Sequence, residues 1–344
     1  MEHLSFNAKK QRGNMYLFFG VFALLLVLFG LSIVTSIFLG ARTMEWTDVW
    51  NSLWHADSTS LEASIVQHRV TRTLFSLMCG AALGISGAFM QSVTRNPIAD
   101  PSILGVNTGA ALFVVAGIAF FHIQSAEQFI WLAIAGAILS ALFVFGIGSM
   151  GSGGATPLKL VLAGAATSAI LSSLVVAIMI PRTNVMDQFR FWQVGSVGVG
   201  SWESIRLFLP FLIVGILIAF LVAPALNALA LGDDVATSLG VRVGTVRFVA
   251  ALGGVLLCGV TTALAGPIGF IGLLAPHLIR LLLGSDLRYV IPLSALSGAI
   301  ILTLSDVIGR IIGSPSELEV GIVTAFVGAP ILILITMKVK MRDG

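Results

Sequence analysis

The chain has 344 residues, of which 57% are hydrophobic and only 10% are charged, a composition that excludes an ordinary soluble domain. The formal net charge of +3 comes from basic residues scattered between apolar runs, which argues against a nucleic-acid-binding surface. The two cysteines are too few and too far apart for a disulfide framework or a metal site.

Ten apolar runs of about twenty residues divide the chain. A hydrocarbon core about 30 Å thick needs roughly 20 helical residues, and backbone amides in lipid must be paired within helices. The first run is too long for the apolar part of a signal peptide, so we interpret it as a retained span. The runs lie at about 15–40, 70–91, 102–122, 128–149, 158–180, 204–229, 246–266, 268–284, 289–311 and 320–338. The sequence therefore predicts an all-α integral membrane protein.

The basic residues in the connections indicate an orientation. With a cytoplasmic N-terminus, 12 of the 19 Lys and Arg residues fall on the inner side, and 10 of the 16 Asp and Glu residues fall on the outer side. Such an excess of positive charge on the cytoplasmic side is the usual bias of membrane proteins. An even number of spans then places both termini in the cytoplasm.

The polar stretches are too short for a separate soluble domain, so residues 1–344 are expected to form one transmembrane domain. Its halves lie at about 15–180 and 204–338. A faint repeat supports this division, because an Arg precedes an apolar run with similarly spaced Gly and Leu in both halves: Arg72, Gly80 and Leu83, then Arg247, Gly254 and Leu257. Five spans per half would make the repeat inverted, as in many transporters.

The inner connection at 230–245 carries an amphipathic pattern. Leu231, Val235 and Leu239 recur at helical spacing, while Asp233 and Asp234 face elsewhere. One interpretation is a helix lying in the lipid headgroups. Interfacial helices usually carry Lys or Arg on the polar face, so the two acids favour the other interpretation, a surface for a protein partner.

The stretch 266–280 contains five Gly and Pro residues at membrane depth. Irregular backbone is tolerated there only when it is buried in protein or lines a cavity. His277 lies in this stretch, and it is either a structural residue or a proton relay.

Three arginines stand at the predicted outer ends of spans: Arg69, Arg72 and Arg310. Arg310 follows Asp306 by four residues, so the two side chains can pair on one helix face. The arginines either anchor the helix ends at the membrane interface or provide a docking site for an acidic partner. The sequence leaves both open.

Several segments together resemble the FecCD-type permeases, which are the membrane subunits of ABC importers for ferric siderophores, haem and cobalamin. The resemblance covers nearly the whole chain in the expected order. It includes Arg95-Asn-Pro-Ile-Ala-Asp-Pro101 and Glu317-Leu-Glu-Val-Gly321. The other matching segments are 69–72, 80–91, 103–106, 162–164, Trp192 with 195–200, 231–240, 266–280 and 293–306.

The resemblance implies a fold like that of the cobalamin permease, with an inverted five-plus-five repeat in a bacterial cell membrane. It also implies roles for three sets of residues. The set expected to couple to an ATPase is Leu231, Gly232, Asp233, Asp234, Ala236, Leu239 and Gly240; the set expected to dock a binding protein is Arg69, Arg72 and Arg310; and the expected inner gate is Thr156, Pro157, Leu158 and Lys159.

The implied partners are a second permease subunit, a cytoplasmic ATPase that carries ATP and Mg²⁺, an external binding protein and membrane lipid, with no nucleic acid. The chain itself is expected to have no catalytic residue, cofactor or metal, and it lacks the G-x-x-x-x-G-K-[ST] loop that would bind ATP. We expect a permease subunit that imports a ferric siderophore. The alternatives are haem or cobalamin import by the same architecture, or an ion-coupled secondary transporter, which usually needs an ionisable group near the membrane midplane.

Overall fold

A computed structural model describes residues 2–40, 42, 44–54, 60–121, 123, 126–151 and 155–340. The α-helices are α1 Glu2–Phe38, α2 Trp46–Trp54, α3 Leu61–Thr94, α4 Val106–Phe121, α5 Ala126–Gly148, α6 Pro157–Met179, α7 Thr183–Val194, α8 Trp202–Leu229, α9 Asp233–Ser238, α10 Val243–Ala265, α11 Ile271–Leu283, α12 Leu287–Ile312 and α13 Val320–Lys340. A short 3-10 helix, Pro101–Leu104, precedes α4.

Each predicted apolar run corresponds to one of these helices, so the predicted all-α membrane fold is confirmed. Within the described ranges, seven helices are long and apolar enough to cross a membrane, and α4, α11 and part of α13 are shorter apolar helices. We call the two ends of the bundle inner and outer, following the predicted orientation. That orientation places both chain ends inside, but residues 1 and 341–344 lie outside the described residues.

The helices α3 and α10 form the centre of the bundle. In their most apolar stretches 83% and 78% of the residues are buried, compared with 17% in α1 and in α6. α3 packs mainly against α12, and α10 packs against α5 as well as α3. The first pair, α3 with α12, joins the second span to the ninth, and the second pair, α10 with α5, joins the seventh span to the fourth. An inverted repeat of five spans relates the second span to the seventh and the fourth to the ninth, so it relates these two pairs to each other.

Small residues permit the closest of these contacts. A Cβ added at Gly84 of α3 would overlap the carbonyl oxygen of Ser294 in α12. Only glycine lets the two backbones approach so closely, as is common between helices in lipid. The pair α3 and α12 therefore behaves as one packed unit, and its outer end carries the charged residues described below.

The Gly- and Pro-rich stretch at 266–270 is irregular, as predicted, and its residues are buried or half-buried in protein. The backbone N–H of Ser196 donates to the carbonyl of Ala265 at 2.7 Å, just before the break. The side chain of Ile268 within the break is 5% exposed. His277 lies in α11 and is also buried, at 8% exposure.

Candidate functional site

Charged side chains from distant parts of the chain meet at the outer end. We call this the outer arginine cluster, and its members are Arg69, Arg72, Asp306, Arg310 and Glu317. The three arginines are only 2–7% exposed and Asp306 is 1% exposed. The three arginines predicted as a docking site are therefore buried within their own chain. Each guanidinium is enclosed by its own chain, because α3 and α12 pack against the end of α1.

Two of the arginines pair with the C-terminal end of α1. Arg69 Nη1 donates to the carbonyls of Ile37 and Phe38 at 2.9 and 3.1 Å. Arg310 Nη1 donates to the carbonyls of Ser36 and Leu39 at 3.0 and 3.2 Å. A helix leaves its last carbonyls without intrahelical partners, and cations are favourable at that end. These two arginines therefore cap α1.

The third arginine joins α3 to α12 and to the connection before α13. Arg72 Nη2 lies 2.7 Å from Asp306 Oδ1, and Arg72 Nε lies 3.1 Å from Asp306 Oδ2. Arg72 Nη1 lies 2.6 Å from Glu317 Oε2, whose side chain is 45% exposed. Arg310 Nε is 3.1 Å from Asp306 Oδ2, so the predicted pair of Asp306 and Arg310 is confirmed. Asp306 thus forms ion pairs with two buried arginines at once.

The inner connection at 230–245 has the opposite character, and we call it the coupling segment. Its helix α9 is short, and the leucines on either side of it are exposed: Leu231 is 66% and Leu239 63% exposed, while Val235 within α9 is 44% exposed. Ala236 is fully buried and faces the bundle. The predicted amphipathic pattern is present, and Leu231, Val235 and Leu239 point away from the chain.

Glycines delimit this segment. Gly232 has φ of 119° and Gly240 has φ of 81°, conformations that residues with a Cβ rarely adopt. The backbone N–H of Gly240 donates to the carbonyl of Thr237 at 2.9 Å, which closes the end of α9. The tight exit expected at Gly240 is thus present, and it presents Leu239 at the surface.

A second group of charges holds α9 on the bundle. We call it the inner arginine cluster, and it consists of Asp233, Arg95 and Arg247. Asp233 Oδ1 accepts hydrogen bonds from Nη2 of Arg95 and from Nη2 of Arg247, the latter at 2.9 Å. The side chain of Arg247 is 4% exposed. Sequence reasoning named Asp233 but missed both arginines as its partners. The available signal was Arg247 itself, a charge inside an apolar helix that requires a partner.

The four residues predicted as the inner gate form the beginning of α6. Thr156 is its N-cap and accepts from the backbone N–H of Lys159 at 3.4 Å. Pro157 occupies the first turn, and the side chain of Leu158 is 68% exposed. Lys159 Nζ donates to the carbonyl of Met150 at 3.1 Å. Arg247 also reaches this region, because its Nη1 donates to the carbonyl of Ala155 at 3.2 Å.

The described part of the chain contains no group of three or more His, Cys, Asp or Glu side chains suited to a metal ion. Its two ends instead carry ion-paired clusters, and the helices between them are apolar.

The model of the FecCD transport family matches residues 24–338. The chain belongs to the FecCD transport family. Among curated relatives, the ferric enterobactin transport system permease protein FepD of Escherichia coli is 41% identical over 93% of this chain and 95% of its own length. The Fe(3+)-citrate import system permease protein YfmD of Bacillus subtilis is 38% identical over 97% of this chain and 98% of its own length.

A solved structure supports the fold assignment. It is described as an inward-facing conformation of a metal-chelate type ABC transporter, and it aligns with a TM-score of 0.78 at 27% sequence identity. The alignment covers 94% of this chain and 99% of that one. Members of the family are thus similar to this chain from the first span to the last.

Proposed function

We propose that this chain is a permease subunit of an ATP-driven importer for ferric siderophores. The observation that carries the proposal is the match of residues 24–338 to the FecCD transport family, together with relatives named as permeases for ferric enterobactin and Fe(3+)-citrate. On this proposal the chain forms half of a pathway across the bacterial cell membrane. The second half is another permease subunit, identical or related.

The coupling segment supports a separate ATPase as partner. Leu231, Val235 and Leu239 are exposed beside the inner arginine cluster. A few well-packed, fully desolvated side chains near the centre of an interface carry most of its binding energy. We propose that these three side chains enter a groove on the ATPase and that Gly232, Asp233, Asp234, Ala236 and Gly240 shape the segment. ATP and Mg²⁺ would be bound by the ATPase, and this chain would bind neither.

The beginning of α6 is proposed as the inner gate. α6 is among the least buried helices of the bundle, so its exposed face is available to line a pathway or to meet the second subunit. Thr156 and Pro157 fix where the helix begins, and Leu158 projects from its first turn. An apolar side chain at that position can close a pathway by excluding water.

A docking role for Arg69, Arg72 and Arg310 stays a prediction. Direct docking on these residues would require a partner to reach side chains that are buried. Their side chains are enclosed by pairs within the chain, so an external binding protein would reach the exposed carboxylate of Glu317 before it reached a guanidinium. We propose that the binding protein docks over this outer end and that the arginines hold the surface in shape.

Ion-coupled transport is the competing class. It would use an ionisable group within the membrane, and the buried carboxylate of Asp306, near the outer end of α12, is the candidate to consider. That carboxylate is ion-paired with both Arg72 and Arg310, which disfavours it as a site that binds and releases an ion.

Uptake in proteoliposomes tests the proposal. The chain should be reconstituted with its ATPase, with the second permease subunit and with the binding protein outside, and the import of an iron-loaded siderophore measured. We expect accumulation only when ATP is enclosed, and none when the ATPase cannot hydrolyse ATP. Accumulation by this chain alone, driven by an ion gradient, would overturn the proposal.

A further inference from the structure

The inner arginine cluster joins the coupling segment to the proposed gate through one side chain. Arg247 Nη2 donates to Asp233, the first residue of α9. Arg247 Nη1 donates to the carbonyl of Ala155, the residue before the N-cap of α6. The two segments are distant in sequence, and a single planar guanidinium spans them. Because its donors are fixed in a fork, it holds both partners in a defined relation.

The arginine at the centre of this link is protected from solvent. The Arg247 side chain is 4% exposed, although that of Asp233 is 42% exposed. Hydrogen bonds to a charged group in such an environment are stronger than those between neutral groups, and losing one partner leaves a buried charge uncompensated. A displacement of Asp233 is therefore expected to move Arg247 with it rather than to break the pair.

The second arginine of the cluster has a different set of partners. Arg95 donates to Asp233 and also to the carbonyl of Leu229 at 2.5 Å. It lies at the C-terminal end of α3, and its two contacts keep α9 beside the ends of α3 and α8. None of its described contacts reaches α6. The connection to α6 belongs to Arg247.

α6 is suited to respond to such a connection. In its most apolar stretch 17% of the residues are buried, compared with 78% in α10, from which Arg247 projects. Within its own chain α6 can therefore shift with less repacking than α10, because packed cores resist deformation. The start of α6 is thus the compliant end of the link, and α10 is the fixed support.

From this geometry we infer that Asp233 and Arg247 are positioning residues that pass a displacement of α9 to the start of α6. The inference rests on the proposed function, since it needs an ATPase that moves α9. On this account the ATPase pulls or pushes α9, Asp233 carries Arg247, and Arg247 shifts the backbone at Ala155 beside the gate.

The test is the number of substrate molecules imported per ATP hydrolysed by the complete complex in proteoliposomes. We expect Asp233→Asn and Arg247→Gln each to lower this ratio about tenfold, within the usual range for coupling between two sites. ATP hydrolysis should fall much less, because the exposed leucines of the coupling segment are unchanged. The double variant should be no worse than either single one, since residues that act as one link are not additive.

Two variants serve as controls. Arg288→Gln removes an exposed arginine at the inner end of α12, and it should leave the ratio unchanged. Asp234→Asn removes the same charge as Asp233→Asn from the neighbouring position, so it reports any effect of charge on the ATPase interface alone. Its ratio should stay well above that of Asp233→Asn.

A thiol probe reports the motion directly. Both native cysteines are buried, so a Leu158→Cys chain can be labelled selectively from the inner side by a membrane-impermeant maleimide. Trapping the complex with ATP should change the labelling rate in this background, and adding Asp233→Asn should remove that change. If Asp233→Asn does not assemble, Arg247→Lys keeps the charge without the fork and should show the same loss.

Normal import per ATP in the assembled variants, or additive losses in the double variant, would overturn the link. The link would also be overturned if Asp233→Asn left the ATP-dependent change in labelling rate at position 158 unaltered. Failure of the proposed function itself would appear elsewhere, as a lack of ATP-dependent uptake by the unsubstituted complex.

Discussion

The outer and inner ends of this bundle each carry an arginine–carboxylate cluster, but the two clusters differ in what surrounds them. In the outer cluster Asp306 is 1% exposed and is paired with two buried arginines. In the inner cluster the carboxylate belongs to a short helix, Asp233 is 42% exposed, and leucines on both sides of that helix face outward.

This difference indicates different roles. The residues of the outer cluster pair with groups of their own chain, since they cap α1 and join α3 to α12. Because the cluster is buried, it contributes to the packing of these helices. The inner cluster lies beside the exposed leucines of the coupling segment, and it connects that segment to the start of α6. Charge at a helix end therefore does not by itself indicate a docking surface.

The largest expected effect is on the outer cluster. Asp306→Ala would leave Arg72 and Arg310 buried without their shared carboxylate. Breaking a buried ion pair typically costs about 3–5 kcal/mol. We expect a much lower thermal unfolding midpoint of the purified chain and less protein recovered from membranes. Asp187→Ala is the control, since its pair with Arg190 is exposed and such pairs contribute about 0–1 kcal/mol. Equal midpoints for the two variants would show that the outer cluster does not hold the bundle together.

A smaller effect on stability and a large one on function are expected at the coupling segment. Leu239→Asp places a charge where an apolar side chain is proposed to enter the ATPase. Interface anchors are worth about 2 kcal/mol or more, which corresponds to roughly thirtyfold weaker binding. We expect transport to be lost while the unfolding midpoint stays near that of the unsubstituted chain.

Co-purification with the ATPase measures this loss. Leu61→Asp is a matched control, because Leu61 is 64% exposed at the outer end and Leu239 is 63% exposed at the inner end. The control should keep the ATPase bound. Normal ATPase binding and uptake by Leu239→Asp would remove the coupling segment from the proposed interface.

The sequence predicted the framework well and the clusters only in part. Ten apolar runs give ten helices because their length and composition are local properties. The pair of Asp306 and Arg310 was also predictable, since the two residues are one helical turn apart. The partnership of Arg72 with Asp306 was not, because 234 residues separate them, and nothing local indicates which helices meet. The same reason hid the contact of Arg247 with Ala155, which is 92 residues away. Asp233 is only 14 residues from Arg247, but the two lie on separate helices, and the sequence does not indicate how α9 packs on α10.

Burial was the other quantity that sequence could not supply. Arg69, Arg72 and Arg310 have the pattern of interface residues, and only the packing of α1 against α3 and α12 shows that they are enclosed. The helices α2 and α7 were also missed as separate elements. At 9 and 12 residues they are too short for the periodicity of a spanning helix.

The smallest effect is expected from the exposed edge of the outer cluster. Glu317→Gln removes one partner of Arg72, which keeps Asp306. Partly exposed pairs contribute about 0–1 kcal/mol, so we expect at most a few-fold change in stimulation of the ATPase by the binding protein. The change should shrink at 1 M salt, where the Debye length is about 3 Å. A loss greater than tenfold would show that Glu317 contributes far more to docking than an exposed ion pair does.

The most direct test of the contrast compares Asp233→Asn with Asp306→Asn in the same assay. Asparagine keeps the side-chain volume and one acceptor, so a fraction of both variants should assemble. For each assembled complex, substrate imported per ATP hydrolysed and the thermal unfolding midpoint are measured together. We expect Asp233→Asn to lower the transport ratio with a smaller change in midpoint. We expect Asp306→Asn to lower the midpoint while the surviving complexes transport normally. The reverse pattern, or the same pattern in both variants, would contradict the contrast between the two clusters.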